Sequence, residues 1–182
     1  MIIYINLSKK MSTANYKSIA SKLKFEGRAF INGKYVDAID GGKFETMNPA
    51  TGDILCSVAK CNSKDVDLAV NVSRKAFNSG VWSRTSPEFR KDILLKLAEL
   101  LRKYGVENSV LECVDTGKLI ADCINEVAND APMHFQWYGE LIDKVFGKIG
   151  STEPSTTSLI VKEPIGVVAG VVPWNFPLMM AV

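Results

Sequence analysis

Cys56, Cys61, Cys113, Cys123 and His134 are the soft, titratable groups that could do metal or thiol chemistry in this chain. No two cysteines form a C-x-x-C pair, and one histidine cannot complete a zinc pattern at the usual spacings. Metal catalysis on soft ligands is therefore not expected. Cys113 and Cys123 fall in helical stretches and read as small core or surface thiols. Glycine spacing offers no phosphate cradle either. Gly166 and Gly170 lie inside an apolar run, and no G-x-G-x-x-G occurs. That run, residues 165–182, contains Asn175 as its lone polar residue, bracketed by Pro173 and Pro177. By residue type alone, Asn175 is a turn or helix-cap asparagine.

Two structures could hold such a run. Its 18 nearly uncharged residues reach the lower limit for a transmembrane helix. Such a helix would lose two backbone donors at the prolines and carry an amide near mid-membrane. Gly166 and Gly170 weaken a helix further, whereas Val167, Val168, Val171 and Val172 favour a strand. The expectation is a strand over 165–172 covered on both faces, a turn holding Asn175, and a helix opening at Pro177. This is how a βαβ unit begins, with its ligand beyond the carboxyl end of the strand.

Upstream elements must position that turn. Residues 12–23 form a short helix with Tyr16, Ile19, Ala20 and Leu23 on one face. Phe30-Ile31, Asn32-Gly33 and Lys34-Tyr35-Val36 spell a hairpin, because Asn-Gly accepts the positive φ of a two-residue turn. A second hairpin joins residues 44–48 to 54–59 through Pro49-Ala50-Thr51-Gly52. Asn62 or Ser63 caps a helix with Val66, Ala69, Val70, Ser73 and Phe77 on its apolar face and Gly80 beyond its end. Ser86-Pro87-Glu88 opens the next helix, which carries Ile93, Leu94, Leu97, Leu100 and Leu101 and ends at Gly105. A shorter helix spans 106–114, and a long one spans 120–146, kinked or split by Pro132. Residues 147–158 form a polar connector, followed by a half-buried strand over 158–163.

Composition bounds the rest. A chain of 182 residues, 47% hydrophobic and 23% charged, can bury a sizeable core. Twenty-two basic against 20 acidic residues give a net charge of +2 without a basic cluster, so no nucleic-acid footprint is expected. Residues 1–7 are apolar but too short for a signal peptide, and the cysteine usage suits a reduced, cytoplasmic protein.

The string Glu163-Pro164-Ile165-Gly166-Val167-Val168 followed by Val172-Pro173-Trp174-Asn175-Phe176-Pro177 closely resembles the signature of NAD(P)-dependent aldehyde dehydrogenases. Phe30-Ile31-Asn32-Gly33, Asn48-Pro49-Ala50-Thr51-Gly52, Asp65-Val66-Asp67-Leu68-Ala69-Val70 and Asp115-Thr116-Gly117-Lys118 follow that family in order and spacing. The likeness runs from about residue 24 onward. Residues 77–84 and 137–145, Glu140-Leu141-Ile142-Asp143-Lys144-Val145 above all, look most like the branch oxidising gamma-glutamyl-gamma-aminobutyraldehyde in putrescine breakdown.

The resemblance implies an α/β fold whose hairpins and helices lead into the first strand of a Rossmann-like parallel sheet. It divides the chain into an N-terminal extension (1–24), the hairpin and helical region of the cofactor-binding half (25–150), and a connector strand with the first strand and turn of the dinucleotide-binding sheet (151–182). It implies oxidation of a small aldehyde to the acid with NAD or NADP, in a cytoplasmic homo-oligomer without nucleic-acid or membrane partners. Asn175 matches the family's oxyanion-stabilising asparagine, whose neutral N–H donates to the developing charge without titrating. Val172, Pro173 and Trp174 match positions lining the cofactor, although an indole after a buried strand also serves plain core packing. Thr46 and Met47, through backbone oxygens, and Asp115 match a monovalent-cation site; Asp115 equally suits a helix-end carboxylate. Leu119 stands where the family often has proline, which leaves that turn open. The nucleophilic cysteine, the general-base glutamate, the ribose-holding pair and the Gly-rich loop have no match here. The chain therefore reads as the N-terminal portion of such an enzyme, inactive alone, or as a truncated non-catalytic partner of a full-length subunit.

Overall fold

The computed structural model describes residues 13–182. The expectation for residues 1–7, and Ser12 in the first helix, lie outside that range. Helix α1 (Thr13–Ala20) turns Tyr16, Ile19 and Ala20 inward and packs on α4. β1 (Ala29–Ile31) and β2 (Lys34–Val36) pair antiparallel around Asn32 and Gly33, both at positive φ (55° and 73°), as the Asn-Gly pair requires. β3 (Lys43–Met47) and β4 (Ile54–Ala59) make the second hairpin, with the register shifting between Thr46 and Met47. Gly52 closes its turn at φ 77°.

Helix α2 (Ser63–Ser79) starts on a reciprocal cap. Lys64 N–H donates to Asn62 Oδ1 at 2.8 Å, and Asn62 N–H donates to Asp65 Oδ2 at 2.9 Å. Asp65 also accepts Ile39 N–H at 2.9 Å, so this buried carboxylate is satisfied by backbone and ties α2 to the loop after β2. The expected apolar face of α2 remains largely open, with Val66 and Val70 exposed, because little besides β1 packs against it.

The core sits among the following helices. α3 (Pro87–Lys103) is capped by Ser86, whose hydroxyl accepts Phe89 N–H at 3.2 Å. Gly105 does not merely end it, because the residue also begins α4 (Gly105–Thr116). A Cβ at Gly105 would stand 2.7 Å from Ala128 Cβ, so glycine is what lets α4 approach its neighbour so closely. The long helix predicted over 120–146 is broken into α5 (Ile120–Cys123), a π-helical stretch (Ile124–Asp130), α6 (Ala131–Leu141) and a 3₁₀ turn (Ile142–Lys144). Pro132 has no N–H to donate and crowds the preceding turn, which accounts for the wider π stretch directly before it. Ala98, Val110, Cys123, Val127, Ala131 and Pro132 are buried together where these elements meet.

Two expectations near the C-terminal end change. The polar connector contains a strand, β5 (Lys148–Gly150), paired antiparallel with β6 (Ser158–Ile160) in a third hairpin. Leu159 and Ile160 are exposed, so β6 is shorter and less covered than the half-buried strand expected over 158–163. Residues 161–173 carry no strand pairing, and Ile165 and Val171 are 92% and 100% exposed. A parallel strand is made by its neighbours' N–H and C=O groups, and none lies alongside among the described residues. The described strands form three separate two-stranded sheets. α7 (Pro177–Ala181) then opens with proline in its first turn.

Candidate functional site

Asn175 sits in the turn between residues 161–173 and α7, half-buried, with Trp174 beside it 77% exposed. Among the described residues no side-chain hydrogen bond engages its amide. Met180 N–H donates to Phe176 O at 3.0 Å, which folds the chain back immediately after the asparagine. Val172, Pro173 and Trp174, which lead into this turn, are all exposed. An aromatic face and backbone groups of this kind suit a planar cofactor ring.

Asp115 lies in the last turn of α4, and Gly117 ends the helix at φ 75° with its N–H donating to Cys113 O at 3.0 Å. A Cβ on Gly117 would stand 2.7 Å from Pro49 Cγ, so the second hairpin's turn presses directly on this cap. That contact brings β3 to the helix end, where Thr46 Oγ1 donates to Asp115 Oδ1 at 3.2 Å. Met47 follows at the register shift, where a bulge re-aims backbone groups. The Thr46–Asp115 bond sets β3 beside the end of α4, and the backbone oxygens of Thr46 and Met47 and the Asp115 carboxylate are of the type a hard cation takes. Leu119 holds φ −60°, the angle a proline would impose, so replacing the family's usual proline preserves the backbone at that residue.

Lys118 was visible in the sequence only as part of a motif. Its Nζ donates to Glu112 Oε1 at 2.8 Å and to Glu126 Oε2, and it stands 4.4 Å from the centroid of the Phe176 ring. Burial works against its charge, but the hydrogen bonds to Glu112 and Glu126 outweigh burial and raise its pKa above the ordinary lysine value. Thr116 shapes the approach, its hydroxyl donating to Glu112 O at 2.7 Å and accepting Lys118 N–H at 3.3 Å. The α4 end thus touches both groups of candidates: Asp115 reaches Thr46, and Lys118 reaches the residue after Asn175.

Cys113 and Cys123 are unsuited to attack. Burial, with the neighbouring Cys113, pushes Cys123 up to about 12, and burial also raises Cys113. Among the described residues no group of three or more His, Cys, Asp or Glu side chains is placed to hold a metal ion, and no helix is long and apolar enough to cross a membrane.

Residues 35–182 match the aldehyde dehydrogenase family. The chain is 41% identical to the aminoacetaldehyde dehydrogenase of Pseudomonas aeruginosa over 96% of its own length and 35% of that protein's. It is also 41% identical to the NADP/NAD-dependent aldehyde dehydrogenase PuuC of Escherichia coli, over 92% and 34% respectively. Among solved structures, the gamma-glutamyl-gamma-aminobutyraldehyde dehydrogenase of Burkholderia cenocepacia superposes with a TM-score of 0.90 at 42% identity, over 92% of this chain and 34% of that one. The aldehyde dehydrogenase KauB of Pseudomonas aeruginosa gives 0.92 at 40% identity, over 94% and 35%. The chain spans about a third of the length of the curated relatives it matches.

Proposed function

The chain belongs to the aldehyde dehydrogenase family, and on that premise we propose that it carries the oxyanion donor of an enzyme oxidising an amino aldehyde to the acid with NAD or NADP. The observation carrying this reading is the Asn175 turn, whose uncommitted amide stands next to the exposed Trp174 ring. When thiolate adds to an aldehyde, the carbonyl oxygen becomes an anion. A neutral amide N–H already in place stabilises that charge without reorganising. Val172, Pro173 and Trp174 form part of the cofactor wall, and NAD or NADP supplies the hydride acceptor. Thr46, Met47 and Asp115 hold a monovalent cation that steadies the hairpin against α4. Relatives named for aminoacetaldehyde and for gamma-glutamyl-gamma-aminobutyraldehyde support an amino aldehyde as substrate, and the likeness of residues 137–145 to the branch of putrescine breakdown supports a place there.

The 182 residues by themselves are inactive in this reading, since the family's nucleophilic cysteine and general-base glutamate have no match among them. Purified chain is expected to reduce no NAD with an amino aldehyde. The positive test is a hybrid in which residues 25–182 replace the matching third of the Pseudomonas aeruginosa aminoacetaldehyde dehydrogenase. It should oxidise its aldehyde, and Asn175→Ala should lower kcat about a hundred- to a thousandfold. An unchanged kcat in that variant would remove Asn175 from the mechanism. The exposed apolar residues 165–172 favour a second reading, a truncated product that docks on a full-length subunit. Co-purification of the chain with an intact dehydrogenase supports it, and a monodisperse monomer in the presence of that enzyme rejects it.

A further inference from the structure

We propose that Lys118 is a positioning residue for Asn175: clamped between Glu112 and Glu126, its ammonium holds the Phe176 ring and so fixes the turn that aims the amide. The inference rests on the reading of Asn175 as oxyanion donor and extends it to what keeps that donor in place.

Three observations carry it. The clamp is rigid at its base. Glu112 and Glu126 side chains are only 7% and 17% exposed, on α4 and the π-helical stretch respectively, and the Lys118 side chain is 15% exposed. Two carboxylates on separate elements therefore fix the ammonium from two directions, with Thr116 ordering the backbone beneath it. The contact to the turn is specific in kind. At 4.4 Å from the ring centroid, the mostly buried Nζ lies over the π-system of Phe176, whose ring is partly open to solvent. The turn, finally, depends on tertiary contacts. α7 spans five residues, Trp174 is largely exposed, and residues 161–173 carry no pairing. Five residues cannot form a stable helix alone, so tertiary contacts must order this one. α7 packs on the π-helical stretch that carries Glu126. A purely structural ion pair would join α4 to that stretch and stop there; this one continues onto the residue beside the candidate oxyanion donor.

Hydrogen exchange on the full chain tests this without substrate, reading the amide of Met180, which donates to Phe176 O, against the amides inside α3. Lys118→Met should speed exchange at Met180 about tenfold while α3 is unchanged, and Lys118→Arg should restore protection. Phe176→Leu, which leaves both ion pairs intact, should loosen the turn similarly, and Phe176→Tyr should not. Unchanged exchange at Met180 in Phe176→Leu overturns the proposal, as does loss of protection spread equally through α3. Because this measurement involves no catalysis, its failure is distinct from failure of the oxyanion role, which the Asn175→Ala hybrid reads separately.

Discussion

Gly105→Ala is a substitution whose sign the packing decides. At an open helical position, adding a methyl to glycine stabilises by about 0.4–1 kcal/mol, because the unfolded chain loses freedom. Here the new Cβ would stand 2.7 Å from Ala128 Cβ and 2.9 Å from Ala128 Cα, well inside the ordinary 3.5–4 Å carbon contact. α4 and the π-helical stretch would have to separate by close to an ångström, in a region where Val110, Cys123 and Val127 are almost fully buried. Overpacking of this kind costs about 1–3 kcal/mol, so the net effect is a loss of about 1 kcal/mol. For a chain of this size that lowers Tm by about 2–4 °C. The assay is thermal unfolding of four proteins: the parent, Gly105→Ala, Ala128→Gly and the double variant. Ala128→Gly removes the methyl at 2.7 Å but leaves Ala128 Cα at 2.9 Å, so it should relieve only part of the cost of Gly105→Ala, a coupling of about 1 kcal/mol. A rise in Tm on Gly105→Ala in the parent background would refute the close-approach argument.

Leu119→Pro should keep or raise stability, by up to about 1 kcal/mol, since Leu119 already holds φ −60° and is 72% exposed; a drop in Tm would show that its N–H or the preceding residue resists proline. Cys123, with its pKa near 12, should react with a thiol reagent at pH 8 about a thousandfold more slowly in the folded chain than in denaturant, while exposed Cys61 remains accessible. Equal labelling of the two in the native state would contradict the burial argument. Asp143 is held down at about 2 by hydrogen bonds from Lys144 and Lys91, the latter bridging the 3₁₀ turn to α3 at 3.1 Å. A depressed carboxyl adds stability above its unfolded value near 4, and that contribution disappears as pH falls from 4 toward 2. Asp143→Asn should therefore sit below the parent in Tm at pH 6 and converge with it by pH 2; a gap independent of pH would dismiss the ion pairs as its source.

The Asn-Gly pair, the Asn62–Asp65 cap, Ser86-Pro87 and Pro132 declared their local structure in the residue order, because each acts through its own backbone or a partner within a few positions. The motif strings likewise carried the family, and they single out Asn175 and Asp115 as candidates. The third hairpin was hidden because residues 147–158 are Ser/Thr/Gly-rich and show no period-two alternation. The composition of the apolar run over 165–172 predicts a covered strand, yet a strand exists only through the partner it pairs with. The clamp on Phe176 lay beyond sequence reading for a different reason. Lys118 and Phe176 are far apart in the chain, and no spacing rule links them. Only the docking of α7 on the π-helical stretch brings the ring to the ammonium. Sequence alone thus determined the caps and turns built from near neighbours and the chemical groups this protein carries. Tertiary structure decided which of those groups meet, because contact between distant residues follows from packing and not from order along the chain.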